Sequence, residues 1–208
     1  MPTVSSRDRI LMAAKRLFAH NGYENTSTVA IARDAGTSES QLMKHFGSKR
    51  GLLGVILDRG WAVIAARVQM LPDGDSPVDR LFRALEAIII ELENDSDLKN
   101  LLLLETRRVR KDNRDVFVSQ GFQQFAEMVS SILGDMRDQG QVSADLNLEA
   151  VRAAFIGMTE GLLRDQILAE RSEFQASYSV EDLKKVLGML VSSVASEGSR
   201  QTLRVVNH

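Results

Sequence analysis

Between residues 6 and 46 the apolar positions recur every three or four residues, and glycine interrupts them. From Ser6 to His20, the residues Ile10, Ala13, Ala14, Leu17 and Phe18 share one side of a helix. Asn21-Gly22 ends it, because glycine readily takes the left-handed conformation at a helix C-terminus. A short second helix is predicted over 27–35, with Ile31 and Ala32 inward and Gly36 closing it. Ser38 caps a third helix that runs to Phe46, and Gln41, three residues later, completes a capping-box pattern. Gly47 breaks the chain again, and Ser48 opens a long fourth helix reaching about residue 71.

LPDGDSP (71–77) gathers Pro, Gly, Asp and Ser and is the clearest break in the chain. Beyond it the periodicity predicts helices over 77–94, 97–111, 113–139, 146–171 and 179–197. No segment reads convincingly as a strand. The predicted fold class is all-α, about nine helices in total. An N-terminal three-helix unit with a helix-turn-helix precedes a larger C-terminal helical bundle.

Composition narrows the chemistry. The 208 residues are 44% hydrophobic, enough for a packed core, and the absence of cysteine removes disulfides, thiolate metal sites and cysteine nucleophiles. The N-terminus MPTVSSRDRI lacks the apolar stretch of a signal peptide, and no run approaches the roughly 18–20 apolar residues of a membrane span. A soluble, cytoplasmic protein without membrane association is expected. The three histidines (20, 45, 208) are too scattered for a metal site, and there is no GxSxG, HExxH or phosphate-binding glycine loop. No catalytic residue, metal or cofactor is assigned, and the chain does not read as an enzyme.

The charge is unevenly placed. Residues 1–50 carry eight Lys/Arg and four Asp/Glu, whereas the remainder carries eighteen and twenty-four. A basic head on an acidic body suits a protein that meets an anionic polymer at one end.

The two helices within 27–46, joined by AGTS, have helix-turn-helix spacing, in which the second helix enters the major groove and the first braces it. At ~100° per residue, Leu42 and Phe46 face inward toward Ile31, Ala35 and Leu17. Ser40, Gln41 and Lys44 point outward, flanked by Met43 and His45. Ser and Gln can bond base edges, Lys favours guanine or phosphate, and Met packs on a thymine methyl. A merely solvated helix face fits this helix equally well. The restart at Ser48 tips the balance. Lys49 stands at the positive end of the helix dipole, at a cost of a few tenths of a kcal/mol, and beside DNA it would clamp a phosphate.

The stretch GYENTSTVAIARDAGTSESQLMKHFGSKRGLL (22–53) resembles the DNA-binding domain of the tetracycline-repressor (TetR) family of bacterial transcriptional regulators. Phe18, Gly22, Thr26-Ser27, Ile31-Ala32, Ala35-Gly36, Ser38, Leu42, His45-Phe46, Ser48-Lys49 and Leu52-Leu53 carry the resemblance. It implies a helix-turn-helix domain over 1–53, a fourth helix connecting to about 71, and a ligand-binding and dimerisation domain over 72–208. It also implies a homodimer on a palindromic double-stranded DNA operator, with Thr28, Ser38, Glu39, Ser40, Gln41, Met43, Lys44, His45 and Lys49 at the DNA. Met43 stands where the family frequently has tyrosine, which exchanges a hydroxyl contact for an apolar one, and Val29 offers no polar contact.

In the larger half the resemblance implies a cavity for a small, lipophilic effector. Phe82, Leu85, Ile89, Leu104, Phe122, Phe125, Met128, Phe155 and Met158 are the candidate lining, with Glu105 and Arg108 as polar groups. An ordinary hydrophobic core and an i,i+3 ion pair account for the same residues. RRVRKDNRD (107–115) reads as a solvated helix end. Val180, Leu183, Leu187, Leu190 and Val194 form a narrow 3-4-3-4 seam, and Gly157 and Gly161 lie four apart on the preceding helix. Both patterns serve intrachain packing equally; the resemblance assigns them to a dimer interface. The expected function is a ligand-responsive repressor released by its effector. The alternatives are an activator using the same head, or a helical protein-interaction module that does not touch DNA.

Overall fold

Serine opens the helices of the first fifty residues and glycine closes them. In the computed structural model, α1 (Ser6–Asn21) begins at Ser5, whose hydroxyl accepts from the Asp8 N–H at 3.1 Å. It ends at Gly22, φ 81°, whose N–H donates to the Phe18 carbonyl. Ser27 caps α2 (Thr28–Asp34) and Ser38 caps α3 (Glu39–Phe46) in the same way, through the N–H groups of Ala30 and Gln41. Ser48 opens α4 (Lys49–Gln69) by accepting from the Gly51 N–H at 2.9 Å. The expected capping box at Ser38 is only half made. Gln41 is exposed and its side chain makes no return bond among the described residues, leaving its amide directed outward.

The structure describes residues 4–70, 76–105 and 118–173, with 175–176, 178–179, 181–182, 185–186 and 188–189. Four further helices follow α4: α5 (Pro77–Asn94), α6 (Ser96–Glu105), α7 (Gln120–Asp138) and α8 (Leu148–Arg171). All regular structure among the described residues is helical, so the all-α class holds; eight helices are delimited among them, and most of the predicted ninth, 179–197, lies outside them. The seam residues of the predicted 179–197 helix lie outside the described residues, as do 106–117.

The chain forms two compact units, Met1–Val63 with Leu92–Gln123, and Ile64–Glu91 with Gln124–His208. The first unit buries Ile10, Phe18, Ile31, Leu42, Leu52 and Leu57 completely. Each such side chain contributes roughly 1.5–3 kcal/mol on leaving water. The unit extends past the helix-turn-helix because α6 packs on α1. Lys15 pairs with Asp95, the residue whose carboxylate also accepts from the Leu98 N–H at the start of α6. His20 lies 3.3 Å from Asp97 in the first turn of the same helix. Two glycines permit close approach here. A Cβ on Gly60 would meet the Leu98 methyl at 2.5 Å, and one on Gly121 would meet Trp61 Cβ at 2.6 Å and the Asp58 backbone at 3.1 Å. The Gly121 N–H donates to the Asp58 carboxylate at 2.8 Å, and Trp61 meets Phe122 edge-on at 5.5 Å.

In the second unit, α5 starts with Ser76 as cap and Pro77 at the first helical position, where its missing N–H costs nothing. Leu81, Leu85, Ile88, Phe125, Val129, Ile132, Leu133 and Phe155 are buried. Arg67 pairs with Glu91 at 3.0 Å and Arg80 with Asp135 at 2.7 Å. No helix among the described residues is long and apolar enough to cross a membrane.

Candidate nucleic-acid interface

Local chemistry in α1 sets the position of α2 and α3. At its start, Ser6 Oγ and His45 Nε2 are hydrogen-bonded at 3.2 Å, and the Arg7 guanidinium sits 5.4 Å from the centre of the Phe46 ring. These neighbours dock the N-terminus of α1 on the C-terminus of α3. Arg9 Nε donates to the Ala35 carbonyl at 3.0 Å, at the end of α2. Farther along, Arg16 donates to both carboxylate oxygens of Asp34 at 2.7 and 2.6 Å. The buried Thr26 hydroxyl bonds the Leu17 and Gly22 carbonyls at 3.1 and 2.8 Å, which fixes the loop that leads into α2.

Inside this frame Leu42 and Phe46 are buried, as the helical period requires, and the opposite side of α3 is open. Glu39, Ser40, Gln41, Lys44 and His45 are exposed, and Met43 is 42% exposed, a large apolar group left in water. The side chains of Ser40, Gln41 and Lys44 make no hydrogen bond or ion pair among the described residues. Ser38 is exposed, but its hydroxyl serves the cap. Thr28, half-buried at the start of α2, donates to the carboxylate of Glu39 at the start of α3. The turn thus brings Thr28, Glu39, Ser40, Met43 and Lys44 onto two adjoining helix ends.

Lys49 lies next to this surface at the N-terminus of α4. Its Nζ sits 4.2 Å from the centre of the Tyr23 ring and donates to the Glu24 carbonyl at 3.4 Å. Tyr23 is held in turn against the buried Phe18, ring centres 5.1 Å apart. Gly51, one turn into α4, has no room for a side chain: a Cβ would fall 2.3 Å from the Phe46 carbonyl oxygen. The α3–α4 turn owes its tightness to this residue as much as to Gly47, φ 71°.

Tyr23, Arg7 and Gly51 carry parts of the site that sequence reasoning passed over. Tyr23 was legible as an aromatic just after a helix-closing glycine, but its partner is 26 residues away. The charge count also changes meaning. Of the eight cations in residues 1–50, Lys15 and Arg16 pair with acids, Arg9 bonds backbone and Arg7 lies on an aromatic ring. With Lys49 on the Tyr23 ring, at least five of the eight cations of the head are therefore engaged within the fold.

The residues expected to form a ligand site are divided between the units. Phe82, Leu85, Ile89, Phe125, Met128, Phe155 and Met158 lie in the second unit, with Leu85, Ile89, Phe125 and Phe155 buried. Phe122 lies in the first unit, against Trp61. Leu104 and Glu105 fall at the end of α6, and Arg108 lies outside the described residues. Of the residues expected at a dimer interface, Gly157 is exposed with no described residue within 4 Å of a Cβ there, and Gly161 is half-exposed with Arg164 the one described neighbour at that range. Val180, Leu183, Leu187, Leu190 and Val194 lie outside the described residues. No cluster of three His, Asp or Glu side chains suited to a metal occurs among the described residues.

Residues 10–56 match the family described as bacterial regulatory proteins, tetR family. The chain is 26% identical over 190 residues to the HTH-type transcriptional regulator UidR of Escherichia coli (strain K12), covering 90% of this chain and 94% of that protein. Its fold is similar to that of the transcriptional regulator FadR from Bacillus subtilis, solved in complex with stearoyl-CoA. There the TM-score is 0.73 at 19% identity, over 89% of this chain and 97% of that one. It is also similar to the ketosteroid transcriptional regulator KstR2 of Mycobacterium tuberculosis, with a TM-score of 0.64 at 20% identity, over 94% and 97% of the two chains.

Proposed function

We propose that this chain, which belongs to the tetR family of bacterial regulatory proteins, is a repressor that binds a palindromic operator as a homodimer and leaves it when a small lipophilic effector binds. One observation carries the DNA reading. The outward side of α3 presents Ser40, Gln41, Met43 and Lys44 without partners among the described residues, beside an α4 N-terminus with Lys49 at its mouth. The positive end of a helix dipole favours phosphate, and the α3 side chains reach base edges.

The two-fold operator follows from a dimer, in which two α3 helices lie one turn of DNA apart. Gly157 and Gly161 on α8 leave backbone open to a second copy, and the apolar seam from Val180 to Val194 supplies the rest of the contact. The boundary at 53/72 remains the functional one in this reading, a DNA-binding head followed by an effector and dimer region. The effector occupies the second unit, among Phe82, Leu85, Ile89, Phe125, Met128, Phe155 and Met158. That FadR was solved with stearoyl-CoA supports an acyl or similarly apolar ligand. The chain acts in the bacterial cytoplasm, without a catalytic step, a metal or a cofactor.

The test is a titration of duplex DNA by fluorescence anisotropy with wild type and Lys44→Ala. The variant should bind more weakly and change its preference among base substitutions in the site. Equal weakening on every sequence would place Lys44 at a phosphate and remove the base-reading role from this face.

A further inference from the structure

Glu39 is an acid on a surface that should meet a polyanion. It occupies the first turn of α3, where the helix dipole favours negative charge. That explains why the charge is tolerated, but not why it is aimed. The aim comes from Thr28, whose hydroxyl donates to Oε1 from the first residue of α2. Glu39 is exposed and makes no ion pair with any described cation, although Arg33 and Lys44 are exposed on the same two helices. One carboxylate oxygen is anchored, and the other is left to accept.

We infer that Glu39 reads a cytosine in each operator half-site, with Thr28 as the residue that positions it. The inference rests on the DNA-binding reading above. Its chemistry is that of an acceptor-only group in the major groove. A carboxylate repels phosphate oxygens, guanine O6 and N7, and thymine O4, so only the amino groups of cytosine and adenine are left as partners. Adenine sets its N7 acceptor beside N6, and a two-oxygen acceptor meets that lone pair unfavourably. Cytosine sets a C–H beside N4, which the carboxylate tolerates. A carboxylate already holding the Thr28 hydroxyl on one oxygen offers a single, directed acceptor, which matches one amino group. The same charge acts against non-specific binding, since it has nothing to gain from backbone contacts.

The experiment is binding-site selection from random duplex DNA with the full chain, as wild type, Glu39→Gln, Thr28→Val and Thr28→Ser, followed by affinities on single-base variants of the selected site. Wild type should require C·G at one position of each half-site, with about tenfold loss when that pair becomes A·T. Glu39→Gln should move that position toward adenine, which glutamine bonds at N6 and N7, and leave the other positions as they were. Thr28→Val should broaden the cytosine preference, and Thr28→Ser, which keeps the hydroxyl, should retain it. A Glu39→Gln protein that binds more weakly but keeps the same base at every position would overturn the inference while the DNA reading stands. Failure of wild type to select any common site would overturn both.

Discussion

The Lys49 ammonium rests 4.2 Å from the centre of the Tyr23 ring and bonds the Glu24 carbonyl, so the cation at the α4 N-terminus is already accommodated in the free protein. The dipole penalty for such a lysine is a few tenths of a kcal/mol, and a cation–π contact at a partly exposed site returns about 0.5–1 kcal/mol. The two nearly cancel. Lys49 therefore stands at the positive end of the α4 dipole without cost to the fold, on a platform that fixes where its charge lies.

Replacing Lys49 by Ala should accordingly change unfolding free energy by less than about 1 kcal/mol. DNA affinity should fall on all sequences alike, and the slope of log affinity against log salt should lose about one. Denaturant titration and salt-dependent anisotropy check the two halves. An unchanged slope would mean that Lys49 stays on Tyr23 in the complex and touches no phosphate.

Glycines in the first unit should separate by what lies over them. Gly51→Ala and Gly121→Ala place a methyl against backbone, 2.3 Å from the Phe46 oxygen and 3.1 Å from Asp58 Cα. Each should cost roughly 1–3 kcal/mol, read as a lower urea midpoint at unchanged m. Gly60→Ala meets the Leu98 side chain, at 2.5 Å, rather than backbone, and should cost less. Gly134→Ala, with no described residue within 4 Å, should be neutral or gain a few tenths of a kcal/mol.

A long side chain at Gly157 probes association apart from folding. No described residue lies within 4 Å of a Cβ at this position, so Gly157→Leu should fold normally. It should also sediment as a monomer at concentrations where wild type is a dimer. Unchanged sedimentation would remove α8 from the dimer contact.

Acid should weaken the tie between α1 and α4. The Ser5 hydroxyl at 2.6 Å, and then the Arg59 guanidinium at 3.1 Å, hold the Asp8 carboxyl below its ordinary range. A depressed carboxylate contributes its stability fully above its ordinary value, near 3.8, and loses it as pH falls through the lower folded value. Arg59→Ala should raise the Asp8 titration midpoint in NMR, and acid-induced loss of stability should then begin at higher pH. An unmoved midpoint would show that the guanidinium contributes nothing.

Much of this was legible because the head is written in local signals. Ser27, Ser38 and Ser48 cap where their residue type predicts, and Gly22, Gly36 and Gly47 each take positive φ at a helix end. The periodicity placed Leu42 and Phe46 inside and Lys44 outside, because a short helix against a core has one way to face. Contacts distant in sequence were not legible. The bond between Thr28 and Glu39, the seat of Lys49 on Tyr23, and the pairing of Lys15 with Asp95 each depend on which helices meet. Gly60 and Gly121 read as ordinary helix residues until Leu98 and Trp61 are seen against them.

The most direct test of the account is binding-site selection from random duplex DNA with the wild-type chain. A dimer reading DNA through two α3 helices should return a palindrome whose half-site centres lie about 10 base pairs, or a small multiple of that turn, apart. Enrichment of no common site, or of a single half-site without two-fold symmetry, would contradict it.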